Sequence, residues 1–160
     1  MSEPIRVYVA GASNELSRAR AAMEAINDTP GCQVAHDWVS IVERSTCAER
    51  DIPRPAAAEL AGADLSAVVR CDLLWLLAPI VATKGAWAEL GAAVVTGRHM
   101  VVSGDCRQSI FCACAHFEFT TDADALSYIR GVALRIELAH CCPRCLAPRD
   151  SAFGACGVCA

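Results

Sequence analysis

The sequence lacks an excess of positive charge, a long apolar run and a secretory start, and each absence excludes a class of function. Its 160 residues carry a formal net charge of −4, with a pI near 5.5. That balance offers no attraction to phosphate backbones or anionic membrane surfaces, so nucleic acid and membranes are not expected partners. The longest nearly apolar stretch, residues 73–82, is about half of what a membrane span needs. The N-terminal MSEPIRVYVAGAS has no basic start followed by an apolar run and a small-residue cleavage site, so a soluble cytoplasmic protein is expected. A disulfide framework is missing too. The chain has 11 cysteines, an odd count without a secretory signal, which fits reduced thiols and metal ligation. No internal repeat stands out, and alanine richness is the one compositional bias. With 54% hydrophobic residues the chain can bury a full core, as one domain with at most a small appendage.

Apolar periodicity alternates between strand and helix. Ile5 to Ala10 reads as a strand, and Gly11 ends it before a helix with Ser13 as N-cap and Leu16, Ala19, Met23 and Ile26 on one face. Residues 33–38 read as a second strand and 40–54 as a long polar loop. Pro55 opens a helix running to Val69, and Leu73 to Leu77 (LLWLL) is a central strand buried on both sides. Residues 84–96 read as a helix ended by Gly97, and His99 to Ser103 as the next strand. Residues 111–120 hold a fifth strand or its approach, and 121–139 a last helix capped by Thr121 or Asp122. This order implies right-handed crossovers, an α/β fold with a parallel sheet of about five strands, and helices on both faces. Ligands in such folds bind beyond the carboxyl ends of the strands. Four segments share that rim: Gly11 to Ser13, His36 to Trp38, the loop 79–85, and 103–105.

The segment Gly85-Ala86-Trp87-Ala88-Glu89-Leu90-Gly91-Ala92-Ala93 sets one carboxylate among small and apolar residues. Glu89 shares a helical face with Gly85, Ala86, Ala92 and Ala93, which leaves room for a ligand and suits a nucleophile or proton-transfer group. The plainer reading is a solvated glutamate complementing the helix dipole. His36 and Trp38 either line the pocket, the indole stacking on a base, or form an ordinary strand end. Cys112, Cys114 and His116 alternate as buried thiols and a satisfied histidine rather than a metal site.

Three features together, Tyr8-Val9-Ala10-Gly11, Asp64-Leu65 with Cys71-Asp72, and Gly85xxxGlu89xGly91, resemble the nucleoside 2-deoxyribosyltransferase family and its nucleotide N-glycosidase relatives. The resemblance spans roughly residues 6–130 and implies a flavodoxin-like sheet. It also implies that Glu89 is the catalytic glutamate attacking the anomeric carbon, that Tyr8 hydrogen-bonds beside it, and that Asp64 serves the sugar and base pocket. Asp72 reads as structural. For relatives acting on monophosphates, Ser13 and Ser103 match phosphate-binding serines, with Arg18 or Arg107 nearby; helix capping competes for Ser13. The loop Ile80-Val81-Ala82-Thr83-Lys84 lacks an acidic residue that family members often carry there, which leaves base recognition open. A homodimer or higher homo-oligomer is implied as well.

The domain spans residues 1–139, and 140–160 form a tail. There Cys142-Pro-Arg-Cys145 and Cys156-Gly-Val-Cys159 are two CxxC pairs separated by ten residues, each resembling a zinc-ribbon knuckle. Four thiolates complete a closed, structural zinc site that replaces the core so short a tail cannot build. Disulfides or a metal-free tail are the alternatives, and Cys141 and His140 are nearby spare ligands. The functional expectation is cleavage or transfer at the N-glycosidic bond of a nucleoside or nucleoside monophosphate, with no catalytic cofactor. The alternative is a non-catalytic nucleotide-sensing module engaging a partner through its zinc tail.

Elemental analysis of protein purified under reducing conditions is expected to find about one zinc per chain, lost together with stability in a Cys142→Ser, Cys145→Ser double variant. Metal-free wild type, or a double variant as stable and as loaded as wild type, removes the site.

Overall fold

The computed structural model describes residues 3–45, 47, 51–80 and 83–138. The expected zinc tail, with Cys142, Cys145, Cys156 and Cys159, lies outside the described residues. The chain runs β1 (Ile5–Ala10), α1 (Leu16–Asn27), β2 (Cys32–Val34), α2 (Trp38–Arg44), α3 (Arg54–Arg70), β3 (Leu73–Leu77), α4 (Gly85–Val95), β4 (His99–Ser103), two 3-10 turns (Cys106–Gln108 and Ile110–Cys114), β5 (Phe117–Phe119) and α5 (Asp122–Leu138). All neighbouring strands pair in parallel, in the order β2-β1-β3-β4-β5. This is the flavodoxin-like order, and the chain reverses direction across the sheet between β1 and β3.

β3 and β4 are buried along their whole length because helices cover both sheet faces. Register puts Tyr8, Leu74 and Met100 on one face and Val9, Trp75 and Val101 on the other. The first face meets α3 and α4, which pack on each other; α1 and α5 cover the second. There the Trp75 indole N–H donates to Ser103 Oγ at 2.9 Å, and Ser103 donates in turn to Asp122 Oδ1 at 2.6 Å, tying α5 to the sheet interior.

The expected loop over 40–54 contains α2 instead, and the second strand stops at Val34. The physical reason is local. Asp37 caps the helix by accepting from Ser40 N at 2.9 Å, Trp38 and Val39 bury one side, and Arg20 of α1 holds Asp37 and Glu43 on the other. At the far edge the fifth strand is only three residues long. Phe111 is 57% exposed and Cys114 is also exposed, so the alternation read there belongs to a 3-10 turn. The Cys112 thiol is buried, and His116 Nδ1 accepts from Met100 N at 3.1 Å. Ser13 does not cap α1, which begins at Leu16 with Glu15 in the cap position. Thr121 does cap α5: its Oγ1 accepts from Asp124 N at 3.1 Å and donates to the Asp124 carboxylate.

α4 ends in a Schellman motif. Arg98 N donates to Ala93 O at 2.9 Å, Gly97 N donates to Val94 O at 3.2 Å, and Gly97 sits at φ 63°. A Cβ on Gly97 would meet no atom within 4 Å. Gly97→Ala therefore isolates the backbone cost, and denaturant unfolding is expected to show a loss of ~1 kcal/mol. Unchanged or raised stability contradicts the left-handed cap.

Candidate active site

β1 and β3 are the pair at which the chain reverses across the sheet, so the loops beyond their carboxyl ends open the crevice where such folds hold ligands. Glu89 lies in the second turn of α4, over β1. Glu89 is 9% exposed, and the buried Tyr8 hydroxyl donates to Oε1 at 2.7 Å. Oε2 is buried and, among the described residues, accepts no hydrogen bond. The plainer reading of Glu89 as a solvated helix residue is thus excluded. Of its small neighbours, Ala86 and Ala93 are packed into the core, whereas a Cβ on Gly85, one turn earlier, would meet nothing within 4 Å. The room beside the carboxylate is on the Gly85 side.

Asp64 approaches from α3, and His36 from the loop between β2 and α2. His36 Nε2 is 3.3 Å from Asp64 Oδ1, close enough for an ion pair but without the angle of a hydrogen bond. Tyr8 is also within reach of Asp64, yet its one phenolic proton goes to Glu89. Burial pushes the Glu89 carboxyl up to about 7; Tyr8 pulls against that shift and the Asp64 charge adds to it. Burial likewise raises Asp64, opposed by His36 and Tyr8. Burial first, and the two carboxylates after it, hold the Tyr8 phenol far above its ordinary value, so it remains a donor. Tyr8, Glu89, Asp64 and His36 are therefore one cluster, drawn from β1, α4, α3 and the β2–α2 loop.

The other expected site residues are placed unequally. Gly11 lies at the end of β1, with a hypothetical Cβ 3.7 Å from both Leu77 and the Trp38 ring. Trp38 is buried, and its indole N–H donates to Val9 O at 2.8 Å, so it forms a wall of this end of the sheet and starts α2 rather than ending a strand. Ser13 is exposed in the turn before α1. The expected phosphate role of Ser103 is not supported by its surroundings: it is fully buried, and its hydroxyl is committed to Trp75 and Asp122. Arg18 is likewise committed. Its Nε and Nη2 donate to Asp122 at 2.8 Å each, Nη1 to Glu15 and Ala78 O, and Nη2 also to Ser103 O. Arg107 pairs with Asp105, and Asp72 pairs with Arg6 as a structural residue. Glu15 was missed: its Oε1 accepts from Ile80 N at 2.7 Å. The signal was its spacing of three residues from Arg18. Among the described residues, no group of three or more histidines, cysteines and acids is placed to hold a metal ion, and no helix is long and apolar enough to cross a membrane.

No family model matches the sequence, and no curated protein does. Among solved structures, the CMP N-glycosidase BcmB of Clostridium botulinum is similar, with a TM-score of 0.50 at 15% identity, covering 78% of this chain and 97% of that one. At this identity the likeness establishes a shared fold.

The shift of Glu89 has a thermodynamic sign. Its ordinary value is 4.5, and in the folded chain it is about 7. Between those values the folded state binds more protons, so stability falls as pH rises through the interval and levels off above it. The full effect is ~3 kcal/mol, an order of magnitude only. Glu89→Gln is expected to melt above wild type at pH ~8, the gap shrinking toward pH ~4.5. A melting difference that does not vary with pH contradicts the burial of this carboxyl.

Proposed function

We propose that the chain cleaves or exchanges the N-glycosidic bond of a nucleoside or nucleotide, with Glu89 as nucleophile, as a nucleoside 2-deoxyribosyltransferase or nucleotide N-glycosidase. The observation that carries this reading is the asymmetry of the Glu89 carboxylate: Oε1 is held by Tyr8 while Oε2 is buried with no partner among the described residues. The fold shared with a CMP N-glycosidase supports the same class of chemistry.

In this reading Oε2 bonds to the anomeric carbon as the carbon–nitrogen bond breaks, and the bonding electron pair leaves with the base. Asp64, whose carboxyl burial holds above its ordinary range, supplies or shares the proton the departing base takes up. Water, or a second base in the exchange reaction, then attacks the anomeric carbon and frees the glutamate. Tyr8 orients Oε1 and lowers the proton affinity of the carboxylate, opposing the effect of burial. His36 stands behind Asp64, and Gly11, Gly85 and Trp38 shape the crevice. The four cysteines of the tail hold a structural zinc ion and serve subunit docking in this reading.

The test is base release from a panel of nucleosides and monophosphates, with and without an acceptor base, paired with melts. Glu89→Ala is expected to lose ~3 orders of magnitude or more in turnover while folding normally, and Asp64→Asn to lose less. Tyr8→Phe removes a hydrogen bond that favours the charged carboxylate. Its acid limb in kcat/KM, near pH ~7 in wild type, moves to higher pH. Near-wild-type turnover in folded Glu89→Ala ends the assignment.

A further inference from the structure

We infer that Glu15 makes this site select uncharged nucleosides against their 5′-monophosphates. The inference rests on the N-glycosidic reading above and narrows its substrate class. In an open parallel sheet an anionic group finds its natural seat at the start of the helix that follows β1, where free backbone N–H groups and the helix dipole favour negative charge. In this chain the protein's own carboxylate stands beside that seat, bonding none of the N–H groups of α1 itself. Glu15 stands at the cap position of α1, its Oε1 accepts the Ile80 N–H at 2.7 Å, and its Oε2 accepts from Arg18 Nη1 at 3.1 Å. A backbone amide and a guanidinium are what a phosphate would use, and both are already in use.

The surroundings agree. Each of the five N–H donors of Arg18 has an acceptor: Asp122 for Nε, Glu15 and Ala78 O for Nη1, and Asp122 and Ser103 O for Nη2. Two carboxylates thus face one guanidinium. Gly104, at φ 105°, lets Arg18 come that close, since a Cβ there would lie 3.3 Å from Nη2. The adjoining cavity of about 410 Å³ is lined by Arg18, Ala78, Ile80, Gly104 and Asp105, so a third carboxylate looks into it. Arg107 is tied to Asp105 at 2.8 Å. Lys84 is exposed in water at the start of α4 and contributes little to holding an anion. A phosphate dianion entering here meets the Asp105 carboxylate and a guanidinium already engaged by Glu15 and Asp122, whereas a sugar hydroxyl can donate to Asp105.

The experiment compares base release from the common 2′-deoxynucleosides and their 5′-monophosphates by wild type and Glu15→Gln, with melts of Glu89→Ala in the presence of each compound. The amide oxygen of glutamine still accepts from Ile80 N, so the variant removes charge and keeps the contact. Wild type is expected to favour a nucleoside over its monophosphate by ~30-fold or more in kcat/KM. Glu15→Gln narrows that ratio ~10-fold, through a lower KM for the monophosphate. Equal or better use of monophosphates by wild type overturns the inference, as does an unchanged ratio in folded Glu15→Gln. Should Glu15→Gln not fold, Asp105→Asn takes its place, with a smaller narrowing expected and an unchanged ratio decisive against. If wild type releases base from neither class, the N-glycosidic reading fails, and the melts decide the substrate class separately. Stronger stabilisation by nucleosides sustains the selection; stronger or equal stabilisation by monophosphates, or none by either, overturns it.

Discussion

The 2.7 Å hydrogen bond from Tyr8 to Glu89 is the contact on which the site depends. A carboxylate in a nearly dry environment is costly unless something compensates it, and a single phenolic donor compensates one oxygen only. The other oxygen remains under-satisfied, with a proton affinity raised by its surroundings. Because the donor belongs to a central strand and the acceptor to a helix laid across it, the geometry is set by packing of the whole sheet. Tyr8 and Ala10 are buried on the face of β1 that meets α4, Ala86, Leu90 and Ala93 bury α4, and the two polar groups meet where those buried faces touch.

The opposite sheet face carries a second polar system of different character. Trp75, Ser103, Asp122, Arg18 and Glu15 form a hydrogen-bonded series from the sheet interior to the rim. Each charged member has an oppositely charged neighbour, and Asp122 is held below its ordinary value chiefly by Arg18. A satisfied network of this kind rigidifies. Among the described residues the Glu89 cluster keeps an unpaired oxygen, and that difference separates the Glu89 carboxylate from the satisfied network on the same sheet.

Much of this was legible before any coordinates. β1, β3 and β4 announced themselves because fully buried parallel strands read as unbroken apolar runs, and Gly97 marked the end of α4 because its backbone needs the left-handed region. The Glu89 pocket was visible as one acid among alanines, and its link to Tyr8 and Asp64 came through a family likeness rather than through periodicity. α2 was hidden because its outer face is polar and its cap, Asp37, fell inside a segment with strand character. β5 was drawn too long because Cys112 and Cys114 of a 3-10 turn, with His116 after it, mimic alternation. The Arg18–Asp122 pair joins residues 104 positions apart, and no local pattern encodes such a contact. The commitments of Ser103 and Arg18 were hidden for the same reason: Asp122, which binds both, comes from α5, far along the chain.

α3 is held unevenly. Of its 17 residues, from Arg54 to Arg70, the buried ones are Ala67 and Val68, both in its last turns, while Leu65 and Val69 are each 40% exposed. Asp64 therefore rides on a helix anchored at one end, whereas Glu89 and Tyr8 belong to elements locked into the core. Local opening draws first on segments with little buried apolar surface. The first turns of α3 are thus the segment most open to local opening, while Glu89 and Tyr8 are held by the core and Asp64, one turn before Ala67 and Val68, stands at the boundary between the two.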